Sequence, residues 1–199
     1  MNIFVLDKNP TTAAEYMCDK HIVKMILESC QLLSTAHRVL DGKKVERQTK
    51  NGRRYAYYVL EDSTTDSYIY KSTMINHPCT IWARQSTRNY DWLTKHTIAL
   101  CSEYTKRYNK QHKAEPLAHW LFRHPPLSFN IDELTPFAQA MPDQYKNIDA
   151  IKAYRDYYIF EKARFAKWKT GNTPYWFIEG LEENSLLNSK EEIQDGATI

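Results

Sequence analysis

Twenty residues, Asp19 to Arg38 (DKHIVKMILESCQLLSTAHR), constrain this chain more than any other stretch. Wound as an α-helix, they are apolar around most of the circumference, through Ile22, Val23, Met25, Ile26, Leu27, Cys30, Leu32, Leu33 and Ala36. The exception is one stripe. His21, Lys24, Glu28, Gln31, Thr35 and Arg38 follow one another by three or four residues and fall within an arc of about 100°. A surface helix shows the inverse pattern, a polar majority with one apolar stripe. Two readings follow: a buried central helix whose single wet face lines a functional cleft, or a surface helix whose charges are merely solvated. The first is favoured, because polar groups inside a core are costly unless paired or used.

The rest of the chain supplies a body for such a helix. At 199 residues, 42% hydrophobic, 26% charged and with only 5 glycines, it reads as one globular, mainly α domain with a core that needs no staples. Cys18, Cys30, Cys79 and Cys101 lack CxxC pairing and read as buried free thiols of a reduced, cytoplasmic protein. No apolar run approaches the roughly 18 residues that suggest a membrane span, and the short start Met-Asn-Ile-Phe-Val-Leu does not read as a leader. The expected fold is a compact single-domain helical bundle over 1–180, with a β-hairpin insertion at about 43–60 and an acidic flexible tail at 181–199.

Taken in order, Asn2–Leu6 reads as a strand or extended arm, and Thr11 or Thr12 as the cap of a first helix. Asp41-Gly42 ends the central helix. Asn51-Gly52 is a strong hairpin signal inside the basic, tyrosine-rich stretch Lys43–Leu60, which would suit a phosphate backbone or be an ornament. Residues 62–70 have turn character. A helix is expected over Cys79–Tyr108, with His77-Pro78 before it. Arg84 and Arg88 then share a face that Trp92 continues, with Trp82 nearby; cations beside aromatics suit nucleic acid, though ordinary helices carry them too. Lys106–Lys110 reads as a solvated helix end. Further helices are expected at Glu115–Phe122 and at Asp149–Lys169, the latter capped by Asp149 and stopped by Gly171, with one turn at Pro136–Met141. Thr173–Phe177 reads as an aromatic strap.

Phosphate-loop, dinucleotide, nucleophile-elbow and zinc-protease motifs are all missing. The seven histidines lack metal-ligand spacing, so neither metal nor cofactor is expected. What remains is the stripe. Glu28 lies one turn from Lys24 and two from His21, a setting for a tuned acid or base, or equally for a structural ion pair.

Three stretches resemble the endonuclease V-type pyrimidine-dimer DNA glycosylases and their longer bacterial relatives. They are the N-terminal MNIFVLDKNP, the helix from Asp19 to Leu33, and the segment from Met141-Pro142-Asp143 to Trp176 with Lys162. The resemblance implies a compact helical DNA-binding enzyme that needs no metal. In that mechanism an N-terminal α-amine, here on Met1 or Asn2, attacks C1′ of a damaged nucleotide. Glu28 stands in the place of the essential glutamate. The family's arginine beside that glutamate is matched by Leu27, which leaves Lys24 or Arg38 to supply the cation. With DNA as partner, His21 and Lys24 would orient the substrate or balance its charge. Arg38, Arg84, Arg88, Arg155 and Lys162 would contact phosphates, and Trp82 or Trp92 would stack on an extruded base. Two alternatives keep parts of this picture: a pyrimidine hypermodification enzyme of the phage type, and a non-enzymatic DNA- or protein-binding helical module.

Overall fold

The computed structural model describes residues 2–170 and 173–196, with side chains as far as residue 186. The fold is mainly α, as the sequence leads one to expect: the described residues form eight α-helices and one two-stranded hairpin. Helix α1 (Pro10–Glu15) is capped by Asn9, whose side-chain oxygen accepts from the amides of Thr11 and Thr12. The cap therefore sits two or three residues earlier than expected, with Pro10 in the first-turn position that suits it.

Helix α2 (Asp19–Asp41) is the axis of the molecule. Over its first three turns it buries one face, through Ile22, Met25, Ile26 and Cys30, while Val23 and Leu27 stay exposed. From Leu32 to Arg38 every residue is buried. Gly42 then turns the chain into strands β1 (Lys43–Gln48) and β2 (Arg54–Val59), paired antiparallel with Lys43 opposite Val59 and Gln48 opposite Arg54. A Cβ at Gly42 would lie 2.4 Å from the Arg38 carbonyl oxygen, so the sharp exit from α2 requires glycine there. Gly52, at φ +77°, supplies the left-handed residue of the hairpin turn.

Within residues 62–70, read as turn, lies a short helix, α3 (Ser63–Tyr68), capped by Asp62. The expected long helix after Pro78 is two helices, α4 (Pro78–Gln85) and α5 (Thr87–Tyr108). Ser86 breaks them in extended backbone, its hydroxyl capping the Asn89 amide, and Asn89 Nδ2 donates back to the Trp82 carbonyl at 2.8 Å. The serine–asparagine pair thus satisfies one loose backbone group at each of the two helix ends. Arg84 and Arg88 consequently belong to different helices. At the other end of α5, Arg107 is not a solvated cation: it is buried, bonded to Glu103, to Asp19 and to the carbonyls of Glu15 and Met17. It locks the α1–α2 junction onto α5.

Helix α6 (Glu115–Arg123) follows as expected. Residues 136–141 are not helical; a 3₁₀ turn forms instead at Asp143–Tyr145, just past Pro142. Helix α7 (Ala150–Lys162) has the expected Asp149 cap but ends seven residues before Lys169. The chain beyond it docks on the start of α2, the Lys167 carbonyl accepting from the Asp19 amide and Asp19 Oδ2 from the Lys169 amide. Gly171, expected to stop that helix, lies outside the described residues.

The aromatic strap is largely the first turn of α8 (Tyr175–Gly196), with Trp176 and Phe177 buried. Gly180 lets α8 close on α7, since a Cβ there would meet Ile159 at 2.3 Å. The α8 backbone stays helical through residues 181–196, read from sequence as an aperiodic tail. Loss of apolar periodicity does not remove the helix propensity of a stretch rich in Leu and Glu. The core gathers around α2, with α4, α5 and α6 against it and Ile3–Leu6 of the N-terminal arm inserted beside it.

Candidate active site

The first half of the polar stripe opens on a cleft of about 330 Å³. Helix α2 contributes His21, Lys24, Met25 and Glu28. The N-terminal arm supplies Asn2 and Phe4, and His77 comes from the turn before α4. Ala140, Tyr157 and Lys162 close the opposite wall. Larger hollows, of about 590 Å³ between α1, α5 and α6 and of about 550 and 360 Å³ beside Trp120, touch neither the arm nor any stripe residue.

The arm is held rather than draped. Asn2 Nδ2 donates to the Ala140 carbonyl at 2.7 Å, and its Oδ1 accepts from the Ile3 amide at 2.9 Å. Phe4 adopts φ +53°, a strained value for a bulky residue, and is 6% exposed. Its ring stacks on the His21 imidazole at 4.3 Å. His21 Nδ1 is hydrogen-bonded to the Tyr158 hydroxyl. Burial, then the Lys162 and Lys24 charges, push the His21 pKa down to about 3. At neutral pH the ring is therefore uncharged, and it acts as a packing surface for Phe4 instead of balancing charge. Met1 lies outside the described residues.

Glu28 is ion-paired with Lys24 at 3.0 Å, its carboxylate side mostly covered while Lys24 stays 67% exposed. His77 Nδ1 accepts the Cys79 amide as the cap of α4, and burial lowers its pKa. The accepted bond places the proton of the neutral ring on Nε2. Across the cleft, Lys162 Nζ sits 3.0 Å from the Tyr157 hydroxyl and 4.2 Å from its ring centre. One wall thus carries a carboxylate with its cation, and the facing wall a second cation.

The other proposed DNA contacts go elsewhere. Arg38 is fully buried: its guanidinium donates to Asp66 Oδ1 at 2.6 Å and to the carbonyls of Tyr58, Asp66, Ile69 and Tyr70. It cannot reach a phosphate, so Lys24 is the cation left beside Glu28. Trp82 and Trp92 are 2% and 5% exposed and pack together around Phe137, with no face free for a base. Arg84 holds the Ile75 carbonyl at 2.8 Å. Arg88 is exposed and pairs with Asp132. Arg155 donates to the Leu6 carbonyl and lies over Trp176, bracing the arm from behind. Phe4, His77 and Tyr157 also line the cleft, and the sequence does not mark them as site residues. Only His77 left a signal, as a possible cap directly before Pro78.

The comparisons bear on the same region. The family model for pyrimidine dimer DNA glycosylase matches residues 1–116, more than half of the chain. The chain belongs to the pyrimidine dimer DNA glycosylase family. That membership makes it a DNA-repair glycosylase in general terms, with DNA as substrate. No curated protein and no solved structure matches the chain. The match takes in the arm, Glu28, Lys24, His21 and His77, whereas Ala140, Tyr157 and Lys162 lie beyond it. No helix among the described residues is long and apolar enough to cross a membrane. Among them, no group of three His, Cys, Asp or Glu side chains is placed to hold a metal ion.

Proposed function

We propose that the chain is a glycosylase with AP-lyase activity, working on a damaged nucleotide in the Glu28 cleft. The observation that carries this reading is the meeting of the N-terminal arm with Glu28 in one cavity. An α-amine is suited to attack because its ordinary pKa of about 7.7–8.0 leaves a neutral fraction at pH 7. The amine, on Met1 or on Asn2 once Met1 is removed, attacks C1′ of the deoxyribose. The bond from C1′ to the base breaks, and its electron pair leaves with the base, which takes up a proton. Nitrogen then loses a proton while the C1′–O4′ bond opens and O4′ is protonated, giving the imine. The Glu28 carboxylate offsets the positive charge at C1′ and accepts the C2′ proton, so that the 3′ phosphate is expelled by β-elimination. Water finally hydrolyses the imine and frees the amine. Lys24 and Lys162, on opposite walls, hold the flanking phosphates.

Borohydride tests this directly, because it reduces the imine to a stable amine. A duplex carrying an abasic site should become covalently attached, and acetylating the terminal amine should abolish the adduct. If the unmodified protein forms no adduct, or if acetylation changes nothing, the imine mechanism is wrong. Glu28→Gln separates an enzyme from a binding module: the module keeps its function, the enzyme loses its reaction while remaining folded.

A further inference from the structure

We propose that the β1–β2 hairpin is a second DNA contact, gripping backbone phosphates of the duplex that flanks the nucleotide in the cleft. The inference rests on the reading of that cleft as a DNA site and adds a surface the cleft does not include. Its first support is placement. Arg38 closes the same helical stripe that carries Lys24 and Glu28, and its guanidinium holds the Tyr58 carbonyl of β2. The chain leaving α3 then runs back along the stripe. Ile69 and Tyr70 bind Arg38, the Thr73 amide donates to Thr35 Oγ1 at 3.1 Å, and His77 reaches the cleft. Hairpin and cleft therefore share one face of α2. From Glu28 to the hairpin base at Asp41 is about 20 Å of helix, the rise of about six base pairs. The hairpin itself adds a reach of about 20 Å.

The second support is charge. Residues 43–54 hold six cations (Lys43, Lys44, Arg47, Lys50, Arg53, Arg54) against the single acid Glu46. Lys43 is paired with Glu61, and Arg47 lies over the Tyr57 ring. Lys50, Arg53 and Arg54 are exposed and have no ion-pair partner among the described residues. The third support is rigidity. Tyr57 is buried with the Arg38 guanidinium of α2 over its ring, so the strand pair projects from a root tied to that helix while its tip stays in solvent. A concentrated, unneutralised positive tip on a fixed root suits a regular line of phosphates, which binds by displacing counterions.

The test uses the full chain and a duplex of about 30 base pairs containing one tetrahydrofuran abasic analogue. A second duplex has only four base pairs on each side of that analogue. Lys50→Gln/Arg53→Gln/Arg54→Gln should make the dependence of log K on log salt shallower by about 2–3, and weaken binding to the long duplex about ten- to a hundredfold at 0.15 M salt. On the short duplex the triple variant and the unsubstituted protein should bind alike. An unchanged slope on the long duplex, with the unfolding midpoint preserved, overturns the proposal; so does an equal loss on both duplexes, which would put the three cations at the cleft. Borohydride trapping by the unsubstituted protein reads the cleft separately. An adduct together with an unchanged slope removes the hairpin contact and leaves the cleft reading standing. Absence of both binding and adduct removes both.

Discussion

The two halves of the α2 stripe have the same spacing and opposite fates. His21, Lys24 and Glu28 border an open cleft, whereas Thr35 and Arg38 are sealed under the hairpin root and the 69–73 segment. The difference lies in what covers them. Over the cleft half, the opposite wall stands back and a cavity remains. Over the buried half, backbone carbonyls descend onto Arg38 and consume its donors. The same residue types are thus used once to face a ligand and once to hold an insertion in place. Solvated surface helix and buried central helix, posed as rivals from sequence, each describe part of one helix.

The largest expected effect belongs to the cleft half. Glu28→Gln should slow adduct formation and strand nicking about 10²–10⁴-fold, the range for removing a positioned acid or base. The urea midpoint should move little, because the pair it loses with Lys24 is a helical i,i+4 pair whose lysine is largely exposed. A Glu28→Gln protein that unfolds easily, or that nicks at the original rate, would erase the distinction between the halves.

Arg38→Met should produce the mirror result. Removing one partner of a buried pair leaves polar groups uncompensated, so stability should fall by about 3–5 kcal/mol. Folded molecules should still trap an abasic site, since Arg38 does not line the cleft. Urea denaturation followed by trapping at a temperature where the variant is folded checks both statements.

Which half was which could not be read from the stripe. Periodicity records that six polar residues share a face; it does not record that residues 69–73 lie across the far end of it. Trp82 and Trp92 failed in the same way, since spacing put them on a line without telling which line meets Phe137. Ser86 is ambiguous in principle, tolerable inside a helix and better at a cap, and only Asn89 pairing with it decides the break. Features set by local chemistry were legible: the Asn51-Gly52 turn, the Asp149 cap, the Asp41-Gly42 exit. The left-handed Phe4 had no sequence signal, because nothing short of the packed His21 ring forces a phenylalanine there.

Each half of α2 also contains a buried histidine, His21 on the stripe and His37 beside it, and pH should bring out what they share. Burial takes the His21 pKa to about 3 and that of His37 to about 4; His96, on α5, is also lowered to about 4. Unfolded, all three would titrate near 6.5. Below that pH the unfolded chain binds protons that the folded chain refuses, so stability is complete above about pH 6.5 and declines as pH falls, until the folded pKa values are passed. Each histidine contributes a slope of up to about 1.4 kcal/mol per pH unit in that window. His21→Phe and His37→Phe, compared by urea unfolding between pH 7 and pH 4.5, should each flatten the decline by a similar amount. A variant that leaves the slope unchanged would mean that its histidine takes up a proton as readily in the folded protein as in the unfolded chain.

The smallest effect should come from Lys24, and it bears most on the family comparison. Lys24 is the remaining cation beside Glu28 where the family has an arginine and this chain has Leu27. Being largely exposed, it should contribute only about 0.3–0.5 kcal/mol to stability through its helical pair. Its value is expected in binding. Lys24→Gln should weaken binding to an abasic duplex several-fold and make the salt slope shallower by about one, the loss of a single phosphate contact. Lys24→Arg should restore both, since either cation reaches an exposed phosphate. If Lys24→Gln instead destabilises the fold as Arg38→Met does, the stripe is structural along its whole length. If it alters neither binding nor stability, the cation beside Glu28 is supplied from the opposite wall, where Lys162 stands.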